Sequence, residues 1–296
     1  MRRIFLFALF SVLIAPSNPA FSCATCLAGD PTLTTMGTEK PYAGRTRLSV
    51  DYLSRGETVG QPGIDEHEID EERVTFSISY APNKEWMFAA SLPFVTREVK
   101  RFDLSREQGS GMGDLDLSAR WFLGQDQRFP VRNMWGMQFS LRVPTSQEEE
   151  EGGETLDFDA QPGAGITIPG VGVWYGRYRT PWFFYTSAVF QHAIDEGYQG
   201  YKAGDAVLIT GHSQYAIGHE FAVQFSLDSR WKEQDEYDGV ADGDSGGLLI
   251  MASPGAIWTP MTNLIFNLSY QIPAVEDLRG RQEEDPILRF GVTYDF

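Results

Sequence analysis

From residue 47 to the C-terminus the chain repeats one pattern, in which apolar and polar side chains alternate in short runs. A period of two puts every second side chain on one face of an extended strand, so each run reads as a strand with one apolar and one polar face. Leu48, Val50 and Tyr52 alternate with Arg47, Ser49 and Asp51, and Val74, Phe76, Ile78 and Tyr80 with Arg73, Thr75, Ser77 and Ser79. Trp86 to Phe94 gives a third apolar face, and Leu115 to Leu123 alternates with Asp116, Ser118 and Arg120. Further runs at 135–143, 163–175, 181–193, 207–215, 221–228, 247–258, 264–270 and 288–296 bring the expected total to about twelve. No stretch has an amphipathic helical period of useful length.

Alternation alone does not say which face is the core. A soluble sandwich turns the apolar face inward, whereas a membrane barrel turns it to lipid and lines its lumen with the polar one. The connections decide between them. Those at 54–70, 97–112, 144–161, 194–204, 232–246 and 273–285 are long, and those near 82–84, 124–130, 176–180, 218–219 and 259–262 are short. Long and short alternate, so the long ones share one side, as external loops do in outer-membrane barrels. The expected fold is therefore all-β: a closed, transmembrane, antiparallel up-and-down barrel with short periplasmic turns and long external loops. An even strand count leaves both termini in the periplasm. The terminal Phe296, closing an aromatic strand, suits recognition by the barrel-assembly machinery.

The N-terminus agrees with export. Met1-Arg2-Arg3 is basic, Ile4–Ala15 is uncharged and apolar, and Ala20-Phe21-Ser22 fits small-x-small cleavage, so residues 1–22 read as a signal peptide. Residues 23–42 read as a periplasmic segment and 43–296 as the barrel. Cys23 and Cys26 in the segment form a C-x-x-C without a following His. Three readings stay open for the pair: a local disulfide, a lipid anchor on Cys23, or a redox or soft-metal pair. A formal charge of −17 excludes nucleic acid as a partner. The acidic stretches 65–72, 148–157, 235–244 and 283–285 fall in the expected external loops. There they either keep an exposed surface solvated or bind divalent cations that bridge to lipopolysaccharide.

Ten charged residues share the polar face: Arg47, Asp51, Arg73, Asp116, Arg120, Arg142, Asp228, Arg230, Arg289 and Asp295. Facing lipid, each would cost a few kcal/mol near mid-bilayer, so they are expected to line the lumen, as a plugging lattice or a hydrated path. Catalysis finds little support. Gly211-His212-Ser213-Gln214-Tyr215 starts like a nucleophile elbow but lacks its last Gly, and His212 and Ser213 point to opposite faces of a strand. No enzyme, cofactor or metal site is expected.

Ser91-Leu-Pro-Phe-Val95, the run Gly109-Ser-Gly-Met-Gly-Asp114 through Leu123, Leu141-Arg-Val-Pro-Thr145 and Asp159-Ala-Gln-Pro-Gly163 together resemble the outer-membrane "meta-pathway of phenol degradation" transporter family. Ser146 stands where that family has Gly. The resemblance implies a passive carrier of small, often hydrophobic compounds in a Gram-negative outer membrane, without catalytic residues. The expected function is thus a channel or transporter for a small solute, in contact with outer-membrane lipid and lipopolysaccharide. The alternative is a non-conducting structural or adhesion barrel, whose acidic loops bind divalent cations, lipopolysaccharide or a partner.

Overall fold

The computed structural model describes residues 44–64, 66–125 and 132–296. Cys23, Cys26 and the expected signal peptide lie outside the described residues. The barrel strands run in chain order: β1 (Thr46–Val59), β2 (His67–Tyr80), β3 (Trp86–Arg101), β4 (Arg106–Met112, continuing as Leu115–Gln125), β5 (Asn133–Val143) and β6 (Ile168–Arg179). There follow β7 (Trp182–Gln191), β8 (Ala206–Ile217), β9 (Phe221–Lys232), β10 (Gly247–Met261), β11 (Leu264–Leu278) and β12 (Gln282–Glu284, continuing as Ile287–Asp295). Each pairs antiparallel with the next, and β12 returns to β1 from Arg47 opposite Asp295 to Ser54 opposite Leu288. Closure leaves no strand edge open around the apolar belt, which hydrocarbon demands because it offers no water to an open edge.

Burial shows which solvent the outer face meets. On β9, Phe221, Val223, Phe225, Leu227 and Trp231 are exposed, while Ala222, Gln224, Ser226, Asp228, Arg230 and Lys232 are buried. From Phe221 to Trp231 the strand climbs about 25 Å at the usual rise and tilt, the height of a membrane belt. Aromatic pairs gather at the end bearing the short turns. Trp86 stacks on Trp121 at 5.5 Å, Trp182 meets Tyr215 at 4.9 Å, Trp258 meets Phe266 at 5.3 Å, and Phe296 lies 4.8 Å from Tyr294. Amphipathic rings prefer that interface.

At the other end the strands differ from expectation. Three of the expected long loops shrink to 60–66, 102–105 and 279–281, because β1–β4, β11 and β12 continue past the apolar belt. There the outward positions, among them Asp70, Glu72, Glu98 and Lys100, meet water rather than lipid, so the apolar half of the alternation stops while the strand does not. This corrects the placing of Glu68, Asp70, Glu71, Glu72, Glu283 and Glu284, which lie on β2 and β12. Glu71 and Glu284 are not loop carboxylates but inward residues of β2 and β12, 1% and 2% exposed.

The remaining long connections, 144–167, 192–205 and 233–246, fold over and into the external mouth. Phe158, Ala164, Ile166, Ala193, Tyr201 and Ala203 form an apolar cluster there, with Phe158 stacked on Tyr201 at 4.3 Å. Leu156 and Ala160 pack onto Ile69 of β2 and Val99 of β3, which joins the insert to the wall. Sequence alternation starts β6 at 163, whereas residues 163–167 belong to this insert.

Candidate functional site

All ten charged positions picked out by alternation lie on the inward register, though not as one cluster. At the periplasmic base Asp295 takes Arg47 on both oxygens, at 2.5 and 2.8 Å, and also Arg45. Midway up, Arg142 meets Asp116 with two bonds of 3.0 Å across the β4–β5 pair. Arg73 binds Glu71 at 2.6 Å, and that carboxylate is shared with Arg97 at 2.8 Å and Arg55 at 3.7 Å. Arg55 also reaches Glu284 at 3.1 Å. Asp228 accepts from the Thr210 hydroxyl at 2.9 Å. Asp51 and Arg289 face the central cavity.

Arg120 has a different setting. It donates to the Tyr185 hydroxyl at 3.1 Å and lies over the rings of Tyr185 and Trp174, 5.3 and 5.9 Å from their centroids. Those rings pack with Met134 and Phe183 into a buried cluster in the periplasmic half of the bore. Arg55, Glu71, Arg97 and Glu284 escaped the sequence reading because no apolar neighbours flag them. Counting on by twos from Arg47 reaches Arg55, and counting back from Arg73 reaches Glu71.

A second feature the sequence reading missed is Asp114. Gly113 and Asp114 form a bulge in β4 opposite Pro93, and the bulge turns the Asp114 side chain inward. One carboxylate oxygen accepts from the Thr145 N–H at 3.2 Å, the Ser146 N–H at 3.2 Å and the Ser146 hydroxyl at 2.7 Å. The other accepts from the N–H groups of Ala164 and Gly165, both at 3.1 Å. A single carboxylate therefore ties both ends of the 144–167 insert to the wall.

Gln161, fully buried, clamps the insert from within. Its side chain donates to the carbonyls of Glu149 and Leu156 and accepts from the Glu149 N–H, while its own carbonyl accepts from Arg97 at 2.8 Å. Gly109 lets the insert lie directly on β4, since a Cβ there would come within 2.1 Å of the Ala160 carbonyl oxygen. The glycines, Asp114 and Gln161-Pro162-Gly163 that carry the family resemblance thus meet at one place. The 233–246 connection is held similarly, by buried Asp235 accepting from the Gly204 N–H at 2.9 Å and from Lys232. In the same connection burial pushes the Asp242 carboxyl up from its ordinary range, against a hydrogen bond from the Asp244 N–H.

Beneath the insert lies a cavity of about 160 Å³. Its charged lining comprises Arg55, Arg73, Arg142, Arg230, Lys232 and Arg289 against Asp51, Glu71 and Asp116. Its apolar lining includes Leu53, Ile166, Ile168, Leu208 and Ile287. Polar atoms without a protein hydrogen-bond partner recur along the interior: Arg73 Nε, Arg120 Nε, His212 Nε2, Gln214 Oε1, Gln224 Oε1, Arg230 Nε and Gln271 Oε1. His212 lies 2.8 Å from the Ser226 hydroxyl on the inner face, and Ser213 bonds the Phe225 carbonyl instead. Among the described residues no group of three or more His, Cys, Asp or Glu side chains is arranged to hold a metal ion.

No family model and no curated protein sequence matches the chain. Solved structures do match. An outer-membrane channel from Pseudomonas putida F1 superimposes with a TM-score of 0.66 at 13% identity, over 90% of this chain and 100% of that one. The fold is that of an outer-membrane β-barrel. The translocator domain of the autotransporter NalP from Neisseria meningitidis gives a TM-score of 0.52 at 11% identity, over 90% and 93% of the two chains. The NanC porin gives 0.51 at 8% identity, over 83% and 98%. Identities this low establish shared architecture and nothing finer. The apolar outer belt and the closed sheet place the barrel in the Gram-negative outer membrane.

Proposed function

We propose that this barrel is a channel for passive passage of a small solute through the outer membrane. The observation that carries the reading is the run of unpartnered polar atoms inside the wall, from Gln224 and His212 in the periplasmic half to Arg230 at the cavity. In a dry, packed interior each would cost about 1–3 kcal/mol, so so many together favour a hydrated bore. The motif resemblance supports membership of the phenol-degradation transporter family, and the apolar cavity wall suits a solute with a hydrophobic part. The reading also takes residues 1–22 as the export signal and the C-terminal strand as the handle for the assembly machinery. Lipid and lipopolysaccharide surround the outer wall.

Purified protein reconstituted in a planar bilayer tests this. Discrete conductance steps of uniform size are expected. A correctly assembled barrel that stays electrically silent would overturn the channel and favour the non-conducting alternative.

A further inference from the structure

Among the described residues of the bore, Arg47, Arg55, Arg73, Arg97 and Arg142 each meet a carboxylate, whereas Arg120 and Arg230 do not. Arg230 is 7% exposed and lines the cavity, yet no described carboxylate lies within ion-pair distance and its Nε has no partner. Its neighbours across the sheet are Leu208 and Leu249, which offer no polar atom from their side chains. Arg120, 3% exposed, is likewise without a carboxylate and rests on aromatic rings toward the periplasmic half. A desolvated guanidinium without a counter-charge is costly unless an anion completes it. The cavity wall repeats the bias, with six basic side chains to three carboxylates. The carboxylates that neutralise the lattice, such as Glu57 and Glu284, stand behind those guanidinium groups and do not line the cavity.

We infer that the cavity is a binding site for a small organic monocarboxylate with an apolar body, and that Arg230 is its carboxylate partner. This rests on the channel reading for its role in transport. The planar fork of Arg230 suits a carboxylate, while Leu53, Leu208, Ile166 and Ile168 supply apolar contacts around the cavity. Arg120 then offers a second cationic station along the bore. The chain's net charge of −17 does not oppose this. Carboxylates exposed on the external strand ends are screened within about 10 Å by salt, whereas charges in the narrow bore are not.

The test is reversal potential in a potassium chloride gradient, followed by titration with benzoate and with its neutral isostere benzamide. The expected result is anion selectivity, with benzoate but not benzamide reducing the chloride current. Arg230→Gln should weaken the benzoate effect about tenfold or more, and Arg230→Lys less. Heat-shifted gel migration establishes that each variant is assembled. If Arg230→Gln does not assemble, Arg230→Lys and the wild-type selectivity decide. A cation-selective wild type, equal responses to the two compounds, or benzoate block indifferent to Arg230 would overturn the inference. If wild type is silent, the channel reading fails by itself, and saturation-transfer NMR of benzoate with the barrel in detergent decides the site. Binding that depends on Arg230 then keeps it, and no binding removes it.

Discussion

Asp116 and Arg142 face each other across the β4–β5 ladder, with both guanidinium arms engaged at 3.0 Å. The pair is part of the wall rather than of the insert, so its loss should be felt in assembly before it is felt in transport. Arg142→Gln leaves the Asp116 carboxylate facing an amide. The expected cost is about 1–3 kcal/mol, below that of a fully buried pair because the Asp116 side chain keeps 35% exposure. Exchange of the two residues, Asp116→Arg with Arg142→Asp, should recover most of it. Urea titration of the barrel in vesicles reads both. If the exchange is no better than the single variant, the pairing is not what stabilises this position.

Asp114→Asn is expected to act on the insert alone. The amide keeps one acceptor oxygen where the carboxylate has two, so one end of the 144–167 segment loses its anchor, at a local cost of about 2–4 kcal/mol. Hydrogen exchange at 145–146 or at 164–165 should rise by two orders of magnitude or more, while the ladder amides of β4 and β5 stay protected. Uniformly faster exchange across the barrel would show instead that Asp114 supports the wall.

The position of the membrane is tested on β9. Phe225 points outward in the middle of the apolar belt, and Val240 stands at an external tip, 70% exposed. Phe225→Arg should destabilise the barrel in lipid by about 2–4 kcal/mol, and Val240→Arg by less than about 0.5. Equal effects in a urea titration would move the bilayer away from β9.

Strand number and inward parity were legible in the sequence because lipid enforces the alternation. Wherever outward side chains touch hydrocarbon, as at Leu48, Phe76 or Phe225, the period is plain and strand boundaries fall close to the observed ones. Above the belt the outward positions Glu68, Asp70 and Lys100 touch water, and strand becomes indistinguishable from polar loop. Glu71 and Glu284 were misplaced for that reason. The site was legible only in part. Parity put Arg120, Arg142 and Arg230 on the inner face, but it carried no information on which of them would meet a carboxylate. That depends on register between neighbouring strands, such as Asp116 opposite Arg142, and on connections that fold back inside. The role of Asp114 was hidden because a bulge breaks the period at its own position.

The insert anchored at Asp114 separates two problems that most membrane proteins solve with the same residues. The wall answers to the bilayer through its outward face and to its neighbours through the ladder. The bore at the external mouth answers instead to the connections folded over it, and the one at 144–167 is seated on a glycine and fixed at its two ends. Drift in residues 150–160 can therefore alter calibre and chemistry at the entrance while the twelve staves around it stay as they are. A lineage carrying this arrangement could change what it admits without having to learn again how to enter a membrane.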